Sequence, residues 1–578
     1  MSDIIFVSPT EKPLYSHESV GTLILASILK NKGLDVDIYR FLETEYTDYH
    51  SFVEKTAENI VARNPKIVSF YCRCDYYLII IRIAEKIKSL NKDIIIIFGG
   101  PQADALAEET LECIPYIDYC CLGEGETTVY PLFSALLNGE DPTNTAGLVY
   151  RDDKMNIIKN PRPEMMQNLD ESPKVDLSLL PEAIMKTLPQ QTIHVDTGRG
   201  CPFKCTFCST SLFWKRKFRL KSNERVIEEI KELYENHDCR NFNFIHDLFT
   251  ANKKKLIDFC EDVQKCNLKI NWSCSSRVDT LDEETIIAMK NAGLASVFLG
   301  VESGSVRMQK LIKKNIDPEQ ALNIVKILTK HGIHPTASFI YGIPEETDDD
   351  VSATMSLTYR MKDCSPSITV QYHLCAMFYG SELFENYKDD LTFSSQVPVE
   401  AMGVSALGIA ENSDFIIKNK QIFPHYYEYK TSFRSGLNNL GTFMNLSLKC
   451  YPLFKHIIDQ YPENKLIDMY YDFNNINGEF LENFAKKKVN MSDLIDAIDK
   501  YIHAKFDPDA QSHIFDFINF EKNRIEFIKS GIPENIVKFD WDISSYLKCR
   551  DLNKFEDKGS IVLFKNVNGN CKISVINK

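Results

Sequence analysis

The sequence predicts an α/β protein in three parts: an N-terminal doubly wound parallel sheet, a central partial (β/α)6 barrel and a mostly helical C-terminal domain. Three observations carry this. Short apolar runs alternate with amphipathic stretches over about the first 140 residues; a second alternating series begins near residue 192; from about 396 long helical patterning dense in Tyr, Phe and Asn replaces it. At roughly 150 residues per domain, 578 residues allow for three or four such units. The expected boundaries are 1–145, a linker at 146–190, 191–395 and 396–578.

Each element follows from its pattern. In the first part, apolar runs at 4–7, 36–39, 67–71, 94–98 and 119–122 are separated by helical stretches at 18–32, 50–63, 76–90 and 103–111. Runs that are apolar throughout suit a parallel sheet whose crossover helices cover both faces. Ligands of such open sheets sit beyond the carboxyl ends of the strands. Those ends carry Ser8-Pro9, Ser69-Phe70-Tyr71, Gly99-Gly100-Pro101-Gln102 and Gly123-Glu124-Gly125-Glu126, where glycine lets backbone approach a large flat or phosphorylated ligand. The linker, rich in Pro, Asp and Asn, includes a short hairpin. Barrel strands are expected at 192–195, 242–246, 269–274, 296–300, 336–341 and 368–374, with helices such as 223–236, 282–292 and 318–331 between them. Active sites of barrels lie at the carboxyl ends of their strands. At the end of the chain, 561–564 and 573–576 around Asn568-Gly569 read as a hairpin with a primed turn.

Composition narrows the function. Apolar residues are 44% and charged residues 26%, an ordinary globular balance that excludes a disordered or collagenous chain. The net charge of −14 argues against broad nucleic-acid binding. No apolar run approaches the roughly 18 to 20 residues that span a bilayer, and the amino terminus reads as a first strand and not a signal peptide. A cytoplasmic protein without a membrane partner is expected. The 17 cysteines, odd in number and without an export signal, favour metal or redox use over a disulfide framework.

The sharpest motif is Gly198-Arg199-Gly200-Cys201-Pro202-Phe203-Lys204-Cys205-Thr206-Phe207-Cys208, a C-x3-C-x2-C triplet on the loop after the first barrel strand. Structural zinc prefers four ligands in C-x2-C pairs, and no second pair follows. Three thiolates can instead hold three irons of a 4Fe-4S cluster and leave the fourth open to an outside ligand.

Cys201, Cys205, Phe207 and Cys208 make this loop resemble that of the radical S-adenosylmethionine (SAM) superfamily, and the resemblance extends over the whole TIM-like partial barrel. It implies a 4Fe-4S cluster on the three cysteines and SAM on the strand ends. There, Asp247 of His246-Asp247-Leu248-Phe249 would pair with the SAM ammonium. His246 stands where the family often has a carboxylate, and either holds the amino group or makes a structural hydrogen bond. Ser275 and Arg277 would reach the methionine carboxylate, although Arg277 could instead cap a helix. Glu302 would accept from the ribose hydroxyls, and the Ile340 to Gly342 stretch would contact adenine. Residues 376–381 follow the sixth strand. The basic aromatic stretch 213–219 either holds an anionic group or is a helix face with solvated charges.

The first domain in turn resembles the Rossmann-like cobalamin-binding module that precedes the barrel in one branch of the superfamily. The resemblance rests on Gly99, Gly100, Pro101 and on Gly123, Glu124, Gly125, with Ser69 on a neighbouring strand end. The signature D-x-H-x-x-G is absent, since Asp48-Tyr49-His50 is followed by Val53; His17 reads as a solvated loop residue rather than as an imidazole on a lower face, and Tyr71 and Arg73 contact either corrin or substrate. The branch implies reductive cleavage of SAM to a 5'-deoxyadenosyl radical, hydrogen abstraction from an unactivated carbon and methyl transfer from methylcobalamin. It also implies an electron donor such as flavodoxin or ferredoxin, and a small-molecule or peptide substrate entering between the barrel and the third domain. Tyr426, Tyr427, Tyr429 and Arg434 of that domain read equally as core, surface or pocket. Rearrangement or cyclisation without methyl transfer, a methylthiotransferase, and a non-catalytic cofactor-binding sensor stay open. Cys72, Cys74, Cys113, Cys120 and Cys121 lack a clear second cluster pattern.

Overall fold

The computed structural model describes residues 2–9, 19–41, 48–393, 408–485 and 491–507, and beyond these 515, 518–520, 522–524, 534–539, 560–567 and 570–577. His17 lies outside the described residues. The first sheet contains β1 (Ile4–Pro9), β2 (Val36–Phe41), β3 (Ile67–Tyr71), β4 (Ile95–Gly99), β5 (Tyr119–Cys121), β6 (Leu148–Arg151) and β7 (Ile157–Lys159), in the order β2-β1-β3-β4-β5-β6-β7. The first five strands are parallel. Ile4, Ile5 and Val7 are fully buried because helices such as Val20–Asn31 and Tyr77–Leu90 cover the sheet. The chain runs from β1 outward to β2 and then back past it to β3, so the strand order reverses between β1 and β3. That crevice is where doubly wound sheets bind ligands.

One expectation needs correction. The hairpin placed in the linker extends the sheet instead: β6 pairs antiparallel with β5, and β7 with β6. Without it β5 would be an open edge, and Leu148 and Val149 bury completely there. The segment that follows is also no loose tether, since Leu169, Leu179, Leu180, Ile184 and Leu188 enter the core. Its Asn168 and Asp176 cap short turns, which is why its composition read as loop.

The barrel strands are β8 (Thr192–Asp196), then β11 (Asn241–Ile245), β12 (Asn271–Ser276), β13 (Leu294–Glu302), β14 (His334–Tyr341) and β15 (Thr369–Leu374), parallel and in the order β15-β14-β13-β12-β11-β8. Between β8 and β11, β9 (Gly198–Arg199) and β10 (Arg219–Leu220) form a small antiparallel ladder at the base of the cysteine loop. β8 and β15 do not pair, so the barrel stays open. Outward residues such as Ile193, Phe242, Trp272 and Phe339 bury under the helices, while inward His194, Asn243 and Ser273 are polar. Asn223–His237, Lys253–Lys265, Glu283–Asn291 and Pro318–Lys330 are each started by a capping side chain, Ser222, Asn252, Asp282 and Asp317.

The third part packs Leu440–Lys449 and Tyr451–Ile458 on the barrel, where the Tyr359 hydroxyl bonds to Ser447 and the Tyr359 and Tyr451 rings stack. The longer helix Leu466–Ala485 also packs on the barrel helix Asp348–Cys364, its Ile467 amide donating to Ser352 Oγ at 3.1 Å, and Met491–Lys505 packs against it. Short strands β16 (Leu391–Phe393) and β17 (Tyr427–Tyr429) pair, and β18 (Glu534–Phe539), β19 (Ser560–Val567) and β20 (Asn570–Asn577) form a terminal sheet that includes the expected hairpin; its turn at 568–569 lies outside the described residues. No helix among the described residues is long and apolar enough to cross a membrane.

Candidate active site between the two parallel sheets

The carboxyl ends of the two sheets face each other across a cavity of about 1330 Å³. Ser69, Gly99, Gly100, Pro101, Gly123, Glu124 and Gly125 line it from the first sheet; Cys201, Cys205, Phe207, Cys208, Asp247, Ser275, Arg277 and Glu302 line it from the barrel. Ile340 and Gly342 are not among the lining residues. The Gly342 amide instead donates to Glu346 at 2.6 Å and its carbonyl accepts from Arg434. Among the described residues, the cavity lining comes from residues 6 to 380.

The cysteine loop is braced before anything binds it. Gly200 has φ +85°, and a Cβ there would fall 1.9 Å from the Lys217 carbonyl oxygen, so only glycine fits. Its amide donates to the Asp247 carboxylate at 2.8 Å, and burial raises the Asp247 pKa. Deeper in the loop, Thr206 is tied through its backbone to Ile312 and Leu383. The three thiols form no disulfide. No three His, Cys, Asp or Glu side chains among the described residues converge on one metal ion. Burial raises the Cys201 and Cys205 thiol pKa values, opposed at Cys205 by Lys314 and Arg277.

Arg277 is buried, stacks 3.7 Å over the Phe203 ring centroid, grips Asp279 through Nε and Nη2 at 2.9 and 2.8 Å, and places Nη1 3.8 Å from Cys205 Sγ. It caps no helix. Glu302 sits at a register shift in β13 with φ +69°, a conformation costly for a residue with a side chain. Its Oε1 accepts from Lys314 Nζ at 2.8 Å, with both groups buried. His246 is buried, its Nδ1 accepts the Leu248 amide at 3.0 Å, and burial pulls its pKa down to about 4. The ring is therefore neutral at pH 7, with its proton on Nε2.

On the opposite wall Gly99 fronts open space, while Gly100 passes the Tyr71 ring so closely that a Cβ would meet it at 2.9 Å. Gln102 is buried beside them and its amide nitrogen lacks a partner. Arg73 pairs with Asp75. The Glu124 carboxylate, which burial alone would make less acidic, is pulled below its ordinary pKa by Arg219 and Arg199. Of the stretch 213–219, Phe213 and Trp214 line the cavity, Lys215, Arg216 and Lys217 are exposed, and Arg219 is buried.

Residues 195–358 match the Radical SAM superfamily and residues 10–132 match the B12 binding domain. An uncharacterised methyltransferase of Pyrococcus horikoshii is 34% identical over 392 residues, 67% of this chain and 83% of that relative. The chain belongs to the cobalamin-binding branch of the radical SAM superfamily. An anaerobic magnesium-protoporphyrin IX monomethyl ester cyclase of Rubrivivax gelatinosus is 28% identical over 315 residues, 53% of this chain and 56% of the cyclase. The fold is shared with the cobalamin-dependent SAM radical enzyme OxsB with aqua-cobalamin bound, at TM-score 0.58 and 15% identity over 92% of this chain and 81% of that one.

The radical SAM cofactors are a 4Fe-4S cluster and SAM, and the branch adds cobalamin; the residues present fit all three. Free thiols on one braced loop front the cavity, and at Cys205 the cations Lys314 and Arg277 oppose the rise that burial imposes. Gly99 opens backbone to a broad ligand, and the unpartnered Gln102 amide is a donor suited to the amide-fringed corrin edge. Sequence reasoning gave no role to Lys314 or Arg199, read Gln102 only as part of a strand end, and read Arg219 only within the basic stretch 213–219. Arg199 stood inside the cysteine motif and was readable as a flanking charge; Lys314, in a run of lysines after a short helix, gave no signal.

Proposed function

We propose that the chain is a cobalamin-dependent radical SAM methyltransferase that methylates an unactivated carbon of a small-molecule or peptide substrate. The observation that carries this reading is the single cavity: the cysteine loop and the glycine-lined strand ends of the B12-type sheet face the same space. Bound on Cys201, Cys205 and Cys208 and against Gly99 to Pro101, the cluster and cobalamin supply reductive carbon-sulfur homolysis and methyl carriage. The chain itself positions and shields. Arg277 and Lys314 place two cations beside Cys205 where a carboxylate can dock. Glu302, fixed by Lys314, suits a pair of sugar hydroxyls, and Asp247 keeps the loop in place while lining the cavity. Phe203, Phe207, Trp214 and Phe298 are apolar walls that exclude water from a reactive carbon. The electron donor is of the flavodoxin or ferredoxin class, and the site of action is the cytoplasm.

The test is anaerobic reconstitution with iron, sulfide and hydroxocobalamin, then SAM carrying a deuterated methyl group and a strong reductant. Formation of 5'-deoxyadenosine, abolished in Cys205→Ala, and labelled methyl on cobalamin support the reading. Absence of 5'-deoxyadenosine from a fully loaded wild type overturns it. The relationship to the cyclase favours a second reading, oxidative ring formation without methyl transfer; 5'-deoxyadenosine with no labelled methyl on cobalamin selects it.

A further inference from the structure

The turn Gly123 to Glu126 was expected to hold cobalamin, yet the Glu124 carboxylate is already saturated by protein. It accepts from Arg199 Nη1 at 2.8 Å, from Arg219 Nη1 and Nη2 at 2.9 and 2.8 Å, and from the Met166 amide at 2.8 Å. Arg199 reaches on to Glu126 and Asp196, and Arg219 donates to the Met166 carbonyl at 2.6 Å. Glu124, Arg199 and Arg219 are all buried, and Trp214 lies over both guanidinium groups, 5.9 and 5.5 Å from their carbons.

The two arginines are paired directly across the β9-β10 ladder. That ladder closes the loop 200–218, which carries all three cluster cysteines. Glu124 stands between Gly123 and Gly125 on the opposite wall. One buried carboxylate thus ties the base of the cysteine loop to the cofactor-facing turn of the other sheet, with the crossing segment near Met166 clamped between them. Bidentate guanidinium-carboxylate pairs fix orientation as well as distance, and transfer between two groups is sensitive to displacements of about 1 Å.

We infer that Glu124 is a positioning residue, which with Arg199 and Arg219 sets the spacing between the cluster loop and the cobalamin wall, and is not a cobalamin ligand. This rests on the proposed function for its catalytic arm only. The experiment compares full-length wild type and Glu124→Gln. In the chain free of cofactors, thermolysin cleavage around Met165-Met166 is expected to rise at least about tenfold, because removing one member of a buried ion pair opens the seam. Hydroxocobalamin affinity, followed by quenching of Trp214 and its companions, is expected to stay within about threefold, less than the loss of a charged contact brings. In the reconstituted enzyme, transfer of labelled methyl from SAM to cobalamin should fall about a hundredfold while 5'-deoxyadenosine release changes little. Arg219→Lys, which keeps charge and loses the fork, should show the same pattern more weakly and add nothing in the double variant.

Unchanged thermolysin cleavage with cobalamin affinity weakened tenfold or more would make Glu124 a ligand and overturn the inference. Unchanged cleavage together with unchanged methyl transfer would overturn it as well. A wild type that makes no 5'-deoxyadenosine defeats the functional reading but leaves the proteolysis and affinity arms standing.

Discussion

Replacing Lys314 with methionine tests how the fourth strand end is held. Lys314 Nζ lies 2.8 Å from Glu302 Oε1, and the two side chains are only 9% and 8% exposed. Removing one member of such a pair strands the other charge in a poorly solvated place, at a cost of about 3–5 kcal/mol. Each kcal/mol lowers the melting temperature of a domain of this size by about 2–4 °C, so Lys314→Met should melt roughly 6–20 °C lower. Glu302→Gln, which leaves the ammonium alone, should lose a similar amount. The double variant replaces both charges with uncharged groups of similar length and should recover most of the loss, because neither desolvated ion is then left unpaired. The assay is thermal unfolding of the cofactor-free chain followed by circular dichroism, with the cycle read as a coupling energy. Single variants that melt within 2 °C of wild type, or a double variant less stable than Lys314→Met, would refute the reasoning.

Three further outcomes follow from buried groups. His425 is buried against Phe423 and Tyr426, neither ring nitrogen has a partner, and burial lowers its pKa to about 3. The folded chain then takes up fewer protons than the unfolded one between pH 3 and 6.5, so stability falls as pH drops through that window; His425→Phe should flatten the acid limb of a melting-temperature profile and raise stability at pH 5. Glu346 is the opposite case: burial first, then Asp350, push its carboxyl up to about 8. Its contribution is present below about pH 4.5 and is lost as pH rises toward 8, so Glu346→Gln should keep the Gly342 contact and be the more stable form at pH 9 by thermal melting. Arg434→Met should weaken the hold on the Gly342 and Cys375 carbonyls, leaving two buried acceptors without partners at about 1–3 kcal/mol each, measurable by urea unfolding.

Much of the architecture was written in hydrophobic periodicity. The parallel strands of the first sheet are apolar runs because helices cover both faces, the barrel strands bury mainly their outward residues, and the observed strands differ from the expected ones by only a few residues. What periodicity missed is set by partners distant in sequence. The hairpin at 148–159 was legible within the linker but its partner was not: β5 needs a neighbour and takes it. In the site, the cysteine loop was readable because its ligands are close in sequence. Ile340 and Gly342 were assigned from position along the strand, but the Gly342 peptide is engaged by Glu346, four residues on in the same loop, and by Arg434 of the third part. No local pattern encodes the encounter with Arg434.

His246 shows how geometry decides what a motif leaves open. A ring that accepts the Leu248 amide on Nδ1 has spent its lone pair. Burial keeps it from gaining a second proton, so its remaining polar edge, Nε2-H, can only donate. An ammonium needs acceptors, and His246 has none left to offer. Asp247, next in sequence, is an acceptor with one oxygen engaged by Gly200 and lines the cavity beside the cysteines. The pair thus divides: Asp247 keeps a carboxylate on the cavity, while His246 closes the turn beside it. Across the cavity Glu124 is bonded by Arg199 and Arg219 to the base of the cysteine loop, and the glycines on either side of it let Pro163 and Leu25 pack close.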